Sequence, residues 1–264
     1  MLLLIDVGNT NIVMGIYEGD EFKFSWRLGT KVARTSDEYG LQVDSILRHY
    51  GVDVEDITDV VLASVVPSIQ HTLKTMCARY LGKEPMVIGE GTKTGMKIKY
   101  DNPKEVGADR IVNAVAAYQR YGGPCIIIDI GTAISFDVIN EDGEYLGGAI
   151  SPGIGISSEA LFSRTSKLPK VELEEPKTVI GKNTVEAIQS GVVYGFIGLV
   201  DNVIENILAE MKLDKSEVKI IATGGYAKLI ASKSKYIEDY DYDITLQGMK
   251  MIYEKTIKER NDRK

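Results

Sequence analysis

The chain carries the same short pattern twice, and that repetition limits its fold more than any other feature. Residues 2–11 read Leu-Leu-Leu-Ile-Asp-Val-Gly-Asn-Thr-Asn, and residues 126–135 read Ile-Ile-Ile-Asp-Ile-Gly-Thr-Ala-Ile-Ser. Each copy is an apolar run ending in Asp-x-Gly with a threonine close by. Each is followed by a hairpin signal, Glu18-Gly19-Asp20 in the first and Glu141-Asp142-Gly143 in the second. A buried strand ending this way can bend its backbone tightly around an anion. Glycine permits close approach, amides and hydroxyls point at phosphate oxygens, and the carboxylate faces a metal ion or water. Two copies predict two similar halves facing each other across a nucleotide cleft. For either copy alone the competing reading is a strand-ending Asx turn, for which Asp, Asn and Gly are the usual residues.

Periodicity supports an α/β chain with mixed sheets. Residues 2–7, 11–17 and 21–28 read as a three-strand meander, and 126–129, 135–140 and 145–150 repeat it. Between them lie a helix at 36–50, a strand at 59–66, a helix at 68–81, a short strand at 86–88 and a helix from 108 to 121. The two motif aspartates stand 123 positions apart (129 − 6). The halves are accordingly placed at 1–120 and 121–264. Residues 184–211 form the longest periodic stretch, with Ile188, Val192, Phe196, Val200, Val203, Ile207 and Met211 on one stripe. Gly191, Gly195 and Gly198 interrupt it and would admit a second backbone. A strand at 218–222 leads into Gly224-Gly225, and a helix at 245–257 precedes a charged tail expected to fray.

Three further segments narrow the reading: Gly107-Ala108-Asp109-Arg110, Gly147-Gly148-Ala149-Ile150-Ser151-Pro152-Gly153, and Ala222-Thr223-Gly224-Gly225. Together with Asp6-Val7-Gly8-Asn9-Thr10 and Asp129-Ile130-Gly131-Thr132, in this order, they resemble the type III pantothenate kinases. These belong to the actin, sugar-kinase and heat-shock-chaperone ATPase superfamily, and the resemblance runs to about residue 255. It implies duplicated ribonuclease-H-like (actin-like ATPase) domains and transfer of phosphate from ATP to pantothenate, the first step of coenzyme A biosynthesis. It assigns ATP contacts to Asp6, Val7, Gly8, Asn9, Thr10, Asn11, Ile12, Val13 and Thr132. Asp6 would hold Mg²⁺ through water, and Asp129 would hold K⁺ or NH₄⁺. Asp109 matches the catalytic base, and Tyr100, Gly107, Ala108, Asp109, Arg110 and Thr184 match substrate contacts. The pocket of such kinases lies at a homodimer interface, with Thr184 reaching in from the neighbouring protomer.

Bland alternatives stand beside several of these assignments. Asp109 opens a helix, where Asp is a favoured cap, and Thr184 heads another. A helix N-terminus and Arg110 are both expected to hold the Asp109 carboxyl down. That does not disqualify it, because phosphoryl transfer passes through a loose transition state served mainly by positioning. The 184–211 stripe could face its own sheet in a monomer rather than its own copy in a C₂ dimer. Ala222–Gly225 is read as the adenosine-side turn and 147–155 as backbone lining the substrate cleft. The run Asp239–Asp243 is read as a solvated acidic surface rather than a metal site.

Composition enters mainly by exclusion. A formal charge of −7 argues against nucleic acid or an anionic membrane surface as the main partner. Cys77 and Cys125 have no metal-ligand spacing and are expected as packed thiols in a reducing compartment. His49 and His71 are expected on helix surfaces. No apolar run reaches about 18 residues, and no basic or cleavage-site pattern precedes the first strand, so a cytoplasmic location is expected. The rival functions are a kinase of the same superfamily acting on another small hydroxyl compound, and a non-catalytic nucleotide-binding regulator of the same fold.

Overall fold

A computed structural model describes residues 1–30 and 34–262. Its chain divides into two compact units. The first comprises Met1–Gly95, Asn102–Ala116 and the C-terminal helix from Thr245; the second comprises Met96–Asp101 and Ala117–Ile244. The division therefore falls inside a helix, after Ala116 rather than at residue 120, and the last helix returns to the first unit.

In the first unit, strands β1 (Leu2–Val7), β2 (Asn11–Glu18) and β3 (Glu21–Gly29) form the meander, followed by helix α1 (Ser36–His49). Strand β4 (Asp59–Ser64), helix α2 (Pro67–Met76) with a π-helical turn over Cys77–Leu81, and strand β5 (Met86–Ile88) complete the sheet. Helix α1 starts on a capping box in which the Thr35 hydroxyl accepts from Glu38 N–H and the Glu38 carboxylate accepts from Thr35 N–H. The sheet order is β3-β2-β1-β4-β5. Leu3, Ile5 and Val7 of β1 join Tyr39, Val43 and Leu47 of α1 and Leu73 and Met76 of α2 in one core. Each fully buried aliphatic side chain contributes about 1.5–3 kcal/mol. Helix α3 (Ala108–Tyr121) begins in this unit and continues into the second.

The second unit adds a short strand β6 (Lys97–Ile98) and repeats the opening as β7 (Cys125–Ile130), β8 (Ala133–Ile139) and β9 (Glu144–Pro152). Helices α4 (Ile154–Ser163) and α5 (Thr184–Met211), strand β10 (Lys219–Thr223), helix α6 (Ala227–Ala231) and strand β11 (Asp239–Tyr240) follow. The sheet order is β11-β10-β7-β8-β9-β6. Without β6, this is the first sheet's order read from the other end. In both sheets the first three strands are antiparallel and the next two join in parallel. Even the burial pattern of the lead strand repeats: in β1 and β7 only the fifth residue, Asp6 or Asp129, escapes full burial. The duplication inferred from two short motifs thus extends over ten strands.

Helix α7 (Ile244–Asn261) closes the chain on the first unit. A Cβ on Gly248 would lie 2.2 Å from the Val112 carbonyl oxygen, so only glycine lets α7 approach α3 this closely. Leu246 lies over Gly15 of β2 on the sheet face opposite α1 and α2. The helix runs to Asn261, beyond the expected end at 257 and into the tail expected to fray.

Helix α5 shows the main departure from the periodicity. Its buried residues are Ser190, Val193, Ile197, Val200, Asp201, Ile204 and Leu208, a stripe rotated from the expected one. Of the expected stripe only Val200 is fully buried. The helix is apolar nearly all round, so spacing alone could not select the inward face. It is also long and apolar enough, by length and composition, to cross a membrane, with 28% of its most apolar stretch buried. Buried Asp201 is tied to the chain by Ser234 Oγ (2.5 Å) and the Lys235 N–H. Helix α4 and strands β6 and β11 are short elements that the periodicity does not show, and α4 begins within the 147–155 segment read as cleft-lining backbone.

Candidate active site

The first loop grows out of β1. Gly8 N–H donates to Asn11 O (3.0 Å), Thr30 N–H donates to Thr10 O (3.0 Å), and Thr30 Oγ1 donates to Gly8 O (2.9 Å). These bonds hold Asn9, Thr10 and Asn11 outward and exposed, with half-buried Asp6 at the strand end. Ile12 is buried and Val13 half-buried in β2, which leaves their backbone as the group nearest the loop. Val65 joins this loop to the candidate base: its N–H donates to Val7 O (3.1 Å), and its side chain lies under Gly107.

Asp109 is the second residue of α3, one place inside the helix. Ile111 N–H donates to Gly107 O, so Gly107 rather than Asp109 occupies the cap position. The Asp109 carboxylate instead folds back over Gly107, where an added Cβ would lie 2.4 Å from Oδ1. Its Oδ1 accepts the Arg110 N–H at 2.8 Å. Burial pushes the Asp109 carboxyl above the ordinary Asp value, outweighing the Arg110 N–H and guanidinium, which pull it down. The expected depression of this carboxyl is therefore overturned. The residue pairs a fixed orientation with raised basicity, the combination a general base needs.

The second loop is shorter. In the first unit Val7 pairs with Ile12, whereas in the second Ile130 pairs with Ile134. Gly131 N–H donates to Ala133 O (3.0 Å), and Gly153 N–H donates to Thr132 O (3.1 Å), leaving Thr132 exposed. The turn after β10 clamps the base of this loop. Tyr226 N–H donates to Ile130 O (3.2 Å), and a Cβ on Gly224 (φ +92°) would meet Asp129 Oδ1 at 2.4 Å. Gly224 is thus a positioning residue for the Asp129 carboxylate, a role the strand-Gly-Gly pattern did not disclose.

Tyr100 is half-buried in the second unit, its ring 3.4 Å from where a Gly147 Cβ would sit. The segment 147–152, read as backbone lining the substrate cleft, lies in strand β9, which extends the expected strand at 145–150 by one residue before it and two after. Thr184 is exposed at the first turn of α5, but the cap is Asn183, whose side chain accepts the Glu186 N–H at 3.0 Å. It lies in a groove of about 730 Å³ shared with Leu161, Lys182 and Ile188. Asp241 of the acidic run pairs with Arg120. No group of three His, Cys, Asp or Glu able to cage a metal exists among the described residues. Cys77 and Cys125 are buried free thiols pushed up to about 12 by burial. His49 and His71 are exposed on α1 and α2.

The family model for type III pantothenate kinase matches residues 2–206. The type III pantothenate kinase of Finegoldia magna is 55% identical over 252 residues, covering 96% of each chain. That of Geobacillus kaustophilus is 49% identical over 260 residues, covering 98% of this chain and 100% of its own. Among solved structures, the activator of 2-hydroxyisocaproyl-CoA dehydratase from Clostridium difficile has a TM-score of 0.55 at 12% identity. It covers 98% of this chain and 97% of its own, a likeness of fold alone. The chain belongs to the type III pantothenate kinase family.

Proposed function

We propose that this protein transfers the γ-phosphoryl group of ATP to the primary hydroxyl of pantothenate. The observation that carries the reading is Asp109, fixed by Arg110 and Gly107 and made more basic by burial, in a chain of this family. In the proposed reaction the first loop, with Asp6 and residues 7–13, takes the phosphates, and Thr132 adds a nucleotide contact. Asp109 orients the attacking hydroxyl and accepts its proton late, as a loose phosphoryl-transfer transition state requires. The Arg110 guanidinium supplies a fork for the pantothenate carboxylate, alongside Tyr100 and the backbone of Gly107 and Ala108.

The metal sites suit the donors present. One half-buried carboxylate at Asp6 fits Mg²⁺, which keeps several waters and takes its other ligands from substrate phosphates. A bound Mg²⁺ supplies charge to the β- and γ-phosphates. Asp129, in register with the hydroxyl-bearing Ser135 and Thr223, suits K⁺ or NH₄⁺.

We further infer a homodimer through α5. Gly191, Gly195 and Gly198 are exposed with open space beside each, and Ile156, Leu161, Phe162, Ile180 and Val185 leave an apolar surface on the same unit. A second copy on this face would bring Thr184 to the partner's substrate. An ATP-coupled assay tests the function: turnover with pantothenate, and none with a panel of sugars and hydroxy acids, is the expected result. Preference for another alcohol, or nucleotide binding without turnover, would replace the reading.

A further inference from the structure

The internal duplication supplies its own control for the two aspartates. Asp6 stands in register with Val13 of β2 on one side and Ala63 of β4 on the other. Asp129 stands in register with Ser135 of β8 and Thr223 of β10 at the equivalent places. Residues directly paired across strands share a face and lie about 5 Å apart at Cβ. Asp6 is thus flanked by aliphatic groups, whereas Asp129 sits in a row of three oxygen-bearing side chains across three strands.

A second difference lies one step deeper. Where β2 has Gly15, opposite Leu4, β8 has Asp137, opposite Ile127. Asp137 is fully buried. It accepts a hydrogen bond from the Tyr145 hydroxyl at 2.7 Å and another from Ser135 Oγ at 3.0 Å. A hydroxyl has one proton and two lone pairs. With its proton directed to Asp137, Ser135 presents only acceptor character to anything else beside it. A buried carboxylate thus stands where the sister strand has a glycine, and it takes the proton of the serine beside Asp129.

We propose that Ser135 is a second side-chain ligand of the monovalent cation at Asp129, and that Asp137, anchored by Tyr145, is a positioning residue that fixes the Ser135 lone pairs toward that ion. Thr223 closes the row on the other side. The oxygen-only, singly charged row suits a large, weakly hydrated monovalent ion rather than a second Mg²⁺. The inference rests on the cation reading of Asp129 given above.

The test measures ion binding without turnover. Thermal unfolding of the full-length protein with Mg²⁺ and a non-hydrolysable ATP analogue is followed as KCl replaces choline chloride at constant ionic strength. The midpoint should rise with K⁺ in the wild type. Ser135→Ala should need roughly tenfold more K⁺ for half the rise, the scale of one polar contact to a charged group. Ser135→Thr should restore the wild-type requirement, and Asp137→Asn should raise it. An unchanged requirement in Ser135→Ala, with Asp129→Ala abolishing the response, would overturn the Ser135 assignment and leave the Asp129 reading standing. A wild type indifferent to K⁺ would remove both. Should Asp137→Asn fail to fold, the two Ser135 variants still decide.

Discussion

Replacing Asp109 with asparagine separates the catalytic role of this residue from its structural one. The substitution keeps the side-chain shape, and the amide oxygen can still accept the Arg110 N–H that Asp109 Oδ1 now accepts at 2.8 Å. Gly107 leaves the same space for it. What disappears is the buried charge. Loss of general-base action should lower kcat by a factor of about 10²–10⁴, equivalent to about 3–5 kcal/mol of barrier. Stability should move the other way. The Asp109 carboxyl is raised in the folded state by burial, so the folded protein binds this proton more tightly than the unfolded chain. Stability from this group is greatest below the ordinary Asp value near 3.9 and falls as pH rises toward the folded value. At pH 7 the ionised carboxylate therefore destabilises the fold, and Asp109→Asn should melt at or above the wild-type temperature, with the advantage lost in acid. The acid limb of kcat/KM in the wild type should lie above the ordinary carboxylate range. ATP binding by calorimetry should survive the change. Near-normal turnover would refute the base assignment, and a lower melting temperature at pH 7 would refute the burial argument.

Three other outcomes are expected. Turnover should require K⁺ or NH₄⁺ and be weak in Na⁺ alone, with Asp129→Ala abolishing both dependence and most activity; equal initial rates in sodium and potassium buffers would sink that assignment. Light scattering should give a dimer, and mixing Asp109→Asn with Thr184→Arg should restore partial activity, since a mixed pair rebuilds one site from intact residues; a 29.1 kDa species without rescue would exclude the shared site. Cys77 and Cys125, pushed up to about 12, should resist thiol reagents at pH 8 in the folded protein and react only on denaturation, which a timed thiol titration would show.

The local features were legible in the sequence because their causes are local. The Leu-Leu-Leu-Ile and Ile-Ile-Ile runs are buried strands, and Thr35 with Glu38 caps α1. Both copies of Asp-x-Gly end a strand in a loop, and two copies sufficed to predict a duplicated sheet. The α3 helix from 108 to 121 and α5 from 184 to 211 were bounded by their own flanking residues. Tertiary structure alone decided matters that depend on neighbours distant in the chain. The inward face of α5 was set by the sheet beneath it, because its apolar residues surround the helix. The return of α7 to the first unit was set by Gly248 meeting Val112, 136 positions earlier (248 − 112). The basicity of Asp109 reversed the expectation because burial is a property of the packed chain, whereas Arg110 beside it is visible in sequence. Ser135, Thr223 and Asp129 became one row only through strand register, and no single strand records which residues will stand beside it.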